Sequence, residues 1–146
     1  MHYIDPATID LIGSRIDAIG VDARDVHAAQ SRGLDATGPR ENLARSEAAY
    51  RTAVETLRPE QRELVERVFA DALKAARDGR DTTSAQVLLA QTVLADTLVQ
   101  EMEDTITELK AARDKWTRAA MSYDVSMYAI AKACERTQST VQRWVR

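Results

Sequence analysis

The residues best suited to chemistry lie together in YAIAKACERTQSTVQRWVR, Tyr128–Arg146. Its outward side chains include Lys132, Arg136, Gln138, Gln142, Arg143 and Arg146. Glutamine presents a donor and an acceptor side by side, which match N6 and N7 of adenine, and the arginine fork matches O6 and N7 of guanine. Lysine and arginine also neutralise phosphates. Such chemistry needs a rigid helix with its other face buried, and the spacing provides for one. Ile130, Ala131 and Cys134 fall on the inner face of a first short helix, and Glu135–Thr137 is the turn. Val141 and Trp144, three apart, point inward from a second helix that begins near Gln138. The hydroxyls of Thr137 and Ser139 are suited to capping that second helix.

The stretch IAKACERTQSTVQRWV resembles the helix-turn-helix segment of bacterial and phage DNA-binding proteins, where I-A-x-A-x-G-x-S-x-x-T-V-x-R-W is a frequent pattern. The preceding ARDKWTRAAMSYDVSMY is similar to the approach helix and entry loop of small actinobacterial and phage proteins of this kind. The resemblance covers about residues 109–146 and implies double-stranded DNA as partner. Gln138, Ser139, Gln142, Arg143 and Arg146 would then face base edges in the major groove. Lys132, Arg136, Thr137 and Thr140 would touch phosphates, with Arg113, Lys115 and Arg118 adding backbone contacts from the approach helix. Two positions depart from the pattern. Glu135 stands where glycine is usual, and a side chain at positive φ there costs roughly 1 kcal/mol. Arg136 stands where an apolar residue is common. The same residues also permit an ordinary helical hairpin used for packing or protein contact.

Positioning this element falls to an otherwise helical chain. The chain has 146 residues, 45% of them apolar and 29% charged, which suits one folded domain, or a domain with a small module. Aromatic residues are few, so the core must rest on Ala, Leu, Val and Ile. Charge is divided unevenly. Residues 1–109 carry 12 Lys and Arg against 20 Asp and Glu, whereas residues 110–146 carry 8 against 3. An acidic body with a basic tail suggests that the tail alone approaches a polyanion. Arginine outnumbers lysine 16 to 4, a codon bias that points to a GC-rich bacterial or phage genome.

Asp5 and Pro6 open a predicted helix over 6–19, with Ile9, Ile12, Ile16 and Ile19 on one stripe and Gly20 as its stop. A short helix is predicted over 22–30 and a loop over 31–40. The next helix, 39–57, turns Leu43, Tyr50, Val54 and Leu57 inward. Another, 59–78, turns Leu64, Val65, Val68, Phe69, Ala72 and Leu73 inward. Gly79 and Thr83 are assigned as the cap residues of the break that follows. From Ser84 onward there is no Gly or Pro, so one long helix, or two meeting at a bend, is expected to about Met121. Leu88, Ala95, Met102, Leu109 and Trp116 recur every seven residues on it. Leu98, Val99 and Ile106 broaden that stripe, and Gln91, Thr105 and Arg113 interrupt it. The shorter helices cannot cover its full length, which suggests pairing with a second copy, a homodimer. The expected architecture is therefore all-α: an N-terminal helical bundle over 1–108, one long helix, and a trihelical helix-turn-helix module over 109–146. Two such copies would set their second helices on half-sites roughly 34 Å apart.

Other chemistries find little footing. His2 and His27 are distant and lack cysteine partners, and Glu101, Asp104 and Glu108 read as a solvated helix face, so no metal site and no cofactor are expected. Cys134 reads as a core residue rather than a nucleophile. With no Gly-rich phosphate loop, Ser-centred elbow or HExxH, no enzyme is expected. A lone cysteine, the lack of an 18-residue apolar run and the lack of a signal-peptide pattern at the N-terminus suggest a cytoplasmic protein off the membrane. Two classes remain. One is a DNA-binding regulator. The other is an assembly or interaction protein (a phage factor, a polymerase partner or a DNA-packaging subunit) whose terminal hairpin contacts protein.

Overall fold

The computed structural model describes residues 2–146. It has seven helices, and no strand among the described residues. They are α1 (Pro6–Ser31), α2 (Thr37–Glu55), α3 (Pro59–Val68), α4 (Ala70–Arg77), α5 (Thr83–Ser122), α6 (Met127–Ala133) and α7 (Gln138–Val145). The chain forms two compact units, Met1–Val99 and Gln100–Arg146. Their division lies inside α5. Among the described residues no helix is long and apolar enough to cross a membrane.

In the first unit, Asp5 caps α1 by accepting from the Thr8 amide at 2.9 Å, with Pro6 at the first helical turn. The predicted isoleucine stripe is the floor of the core: Ile12, Ile16 and Ile19 are fully buried. The helix does not stop at Gly20, and the predicted break before 22–30 is absent. Gly20 serves close approach instead. A Cβ there would sit 3.0 Å from the Thr83 methyl, and one at Gly13 would sit 3.0 Å from Val87 Cγ1. Two glycines on one face thus let α5 lie tightly on α1, and Gln91 of α5 donates to the Ile9 carbonyl at 3.3 Å.

Helix α2 begins two residues earlier than predicted, with Asp35 accepting from the Thr37 amide at 3.0 Å. It is tied to α1 through Ser46 and Asp22, and to α4 by a two-pronged Arg77–Glu47 pair at 2.9 and 3.0 Å. The helix predicted over 59–78 is two helices. Phe69 leaves helical geometry (φ −90°, ψ 3°), although its amide and carbonyl still bond Val65 and Leu73 at 2.9 Å. The ring is fully buried beside Leu64, Val65 and Ala72. Gly79 caps α4 at φ +65°, as its position predicted. Thr83 is not an N-cap. It is the first residue of α5, buried, with its hydroxyl donating to the Arg80 carbonyl at 2.7 Å.

The long helix runs for 40 residues. Its apolar residues separate onto two faces. Val87, Ala90, Leu94 and Leu98 join the first unit's core. The seven-residue series does not: Leu88, Ala95, Met102, Leu109 and Trp116 are all exposed.

Phe69 is the largest fully buried side chain, so Phe69→Ala should cost about 3–5 kcal/mol in urea unfolding of the full chain. A loss below about 1 kcal/mol would mean that the α3–α4 break does not anchor this core.

Candidate nucleic-acid interface

The second unit must build its core from few apolar residues. α5 ends, and α6 and α7 follow after short turns. Ser126 caps α6 by accepting from the Ala129 amide at 3.1 Å, and Thr137 caps α7 by accepting from the Thr140 amide at 3.3 Å. The turn between them closes on α6. The Arg136 amide donates to the Ala131 carbonyl at 2.8 Å and the Glu135 amide to the Lys132 carbonyl at 3.2 Å. These are the paired bonds of a Schellman cap, which places Glu135 in the left-handed region at φ 53°. The turn at the end of α5 repeats the device. Asp124 has φ 64°, and the Val125 amide reaches the Ala120 carbonyl at 3.2 Å. Both left-handed positions hold an acidic residue rather than glycine, and each stores backbone strain.

The two short helices meet at Ala131 and Val141, 3% and 0% exposed. The alanine has no long side chain to hold the helices apart, so the valine fills the crossing. Ile130 and Trp144 are half-buried. Cys134 is a correction: it is exposed. It takes the C-cap position of α6, where the chain turns away from the crossing, and it only borders a shallow hollow of about 260 Å³ lined also by Trp116, Thr117, Ile130 and Trp144. The third wall comes from α5. Thr117 is buried with its hydroxyl on the Arg113 carbonyl at 2.8 Å, a residue that sequence reasoning passed over because a threonine in a charged helix carries no core signal.

The predicted contact residues divide by what already holds them. Gln138, Gln142, Arg143 and Arg146, in and just after α7, are exposed, as are Lys132, Arg136 and Lys115. Ser139 is exposed, but its hydroxyl lies 3.0 Å from that of Thr137. Thr137 is occupied as the N-cap, and Thr140 bonds both Thr137 (3.0 Å) and Arg143 (3.3 Å). The hydroxyls therefore order the start of α7 and aim Arg143. Arg113 is half-buried, its guanidinium 4.3 Å over the Trp144 ring and bonded to Asp114 at 2.6 Å. Arg118 donates to the Trp144 carbonyl at 3.3 Å, placing a cation at the C-terminal end of α7.

A second concavity, about 360 Å³, is lined by Tyr128, Ala131, Lys132, Arg136 and Gln138. It brings together two cations from α6 and the turn with the first residue of α7. Tyr128 was not among the predicted contacts. Its spacing of four from Lys132, on one helix face, was the available signal. Among the described residues no group of three or more His, Cys, Asp or Glu is placed to hold a metal.

No protein-family model, curated protein or solved structure matches the chain.

Both tryptophans, Trp116 and Trp144, belong to the second unit, so their fluorescence reports its unfolding. Glu135→Gly should stabilise that transition by about 1 kcal/mol through relief of the positive φ. A variant no more stable than the parent would show that the turn is unstrained.

Proposed function

We propose that α6 and α7 form a helix-turn-helix that reads duplex DNA with α7 in the major groove, in a bacterial or phage transcription regulator. The observation that carries this reading is the division of faces. The crossing at Ala131 and Val141 is closed, while Gln138, Gln142, Arg143 and Arg146 stand exposed along α7 beside Lys132 and Arg136. In this reading Gln142 and Arg143 contact base edges, and Gln138 and Arg146 flank them. Lys132, Arg136 and Lys115 contact phosphates. Ser139 and Thr140 act through the hydroxyl cluster that orders the start of α7, and Thr140 also orients the Arg143 fork. The basic balance of residues 110–146 favours a polyanion on this side.

One observation favours a second reading, in which this hairpin contacts protein within an assembly. The hollow lined by Trp116, Ile130 and Trp144 is apolar and open, as a protein docking surface requires.

Titration onto random duplex DNA separates the two readings. The full chain should bind at low salt and release steeply as salt rises. The absence of binding at low salt would sink the DNA reading. Gln142→Ala combined with Arg143→Ala should weaken binding by about 1–3 kcal/mol for each base-reading side chain removed, with helix content unchanged. Unchanged affinity would remove α7 as the reader.

A further inference from the structure

We propose that Tyr128, Lys132, Arg136 and Gln138 form a notch that grips one backbone phosphate of duplex DNA. This rests on the DNA reading and deepens it. It moves Gln138 from the base edges to the backbone, and it adds Tyr128 to the interface.

The notch lies wholly within the second unit, a concavity of about 360 Å³. Ala131, buried at the crossing with Val141, is its floor. The other four lining residues are exposed, and each carries an N–H or O–H donor. Tyr128 and Lys132 stand one turn apart on α6, Arg136 follows in the turn, and Gln138 opens α7. None of the lining residues is acidic.

The fold leaves these donors unused. Among the described residues neither Lys132 nor Arg136 has an ion-pair partner, and the Tyr128 hydroxyl and the Gln138 amide have no hydrogen-bond partner. Other arginines of this unit are engaged: Arg113 with Asp114 and Trp144, Arg118 with the Trp144 carbonyl, and Arg143 with Thr140. A polar concavity in the first unit differs in the same respect. Asp71 lines it beside Lys74 and Arg80, and Arg80 already pairs with Asp78 at 3.3 Å.

A phosphodiester carries one negative charge on oxygens that only accept. An arginine fork, an ammonium and two neutral donors around one hollow match that group. The position of the notch selects the duplex backbone as its source. Gln138 belongs both to the notch and to the exposed side of α7. With Gln142 and Arg143 on base edges one turn further along, the start of α7 beside α6 lies toward the groove rim, where the phosphates run. A phosphate held there fixes the register of α7 along the groove.

The test measures affinity of the full chain for a random-sequence duplex across a salt series. Tyr128→Phe should bind roughly three- to tenfold more weakly at every salt concentration, with the salt slope unchanged, because a neutral donor releases no counterion. Lys132→Gln combined with Arg136→Gln should make the slope shallower by about one, the share of a single phosphate. Gln138→Ala should weaken binding yet select the parent's preferred sequences from a random pool, as loss of a backbone contact does. All four side chains are exposed, so helix content should not change. A Tyr128→Phe chain that binds like the parent, a double variant whose slope is unchanged or falls by about two, or an altered sequence preference in Gln138→Ala would overturn the notch and leave the DNA reading standing. A parent chain that does not bind at low salt would overturn both.

Discussion

Both units build on α5, and a helix can bury only part of its circumference in one core. In the first unit that part is the row from Val87 to Leu98, which locks into a bed of isoleucines, Phe69 and small residues. In the second unit it is the last turns, where Thr117 is buried and Arg113 reaches Trp144. Within the second unit the same helix also carries Met102, Ile106 and Leu109, all exposed. A helix of 40 residues without glycine or proline is tolerated because its propensity is high and both ends are anchored.

The second unit is held by modest means. Its fully buried apolar side chains are small, and its turns rest on backbone capping, two hydroxyl caps and one stacked guanidinium. The strain at Asp124 and Glu135 subtracts from a small total. Such an element is closed where Ala131 and Val141 cross and exposed along the outer side of α7. That suits a surface whose exposed side chains must meet a partner, while the hydroxyl cluster around Thr137 sets where the α7 face begins.

Much of this was legible in the residues. The isoleucine spacing marked α1, the run without breakers marked α5, and ERT marked the turn with its positive-φ residue at Glu135. Other features were hidden for definite reasons. Gly20 carries the same letter whether it ends a helix or admits a neighbour, and only the approach of Thr83 decides between them. Phe69 breaks its helix with no glycine or proline to mark the place. The core and exposed rows of α5 share one period, so the sequence shows them as a single ragged stripe. Cys134 was assigned to the inner face of the first short helix, yet its C-cap position turned it outward. The stacking of Arg113 on Trp144 was hidden too, because the two lie far apart in sequence.

Base reading by α7 in the major groove is tested most directly by selecting bound duplexes from a random pool with the full chain, then methylating guanine N7 in the enriched DNA. The expected result is a short recurring sequence whose binding is blocked by methylation of particular guanines, because N7 is one of the atoms an arginine fork would grip. A pool that fails to converge, or an enriched sequence indifferent to N7 methylation, would contradict it.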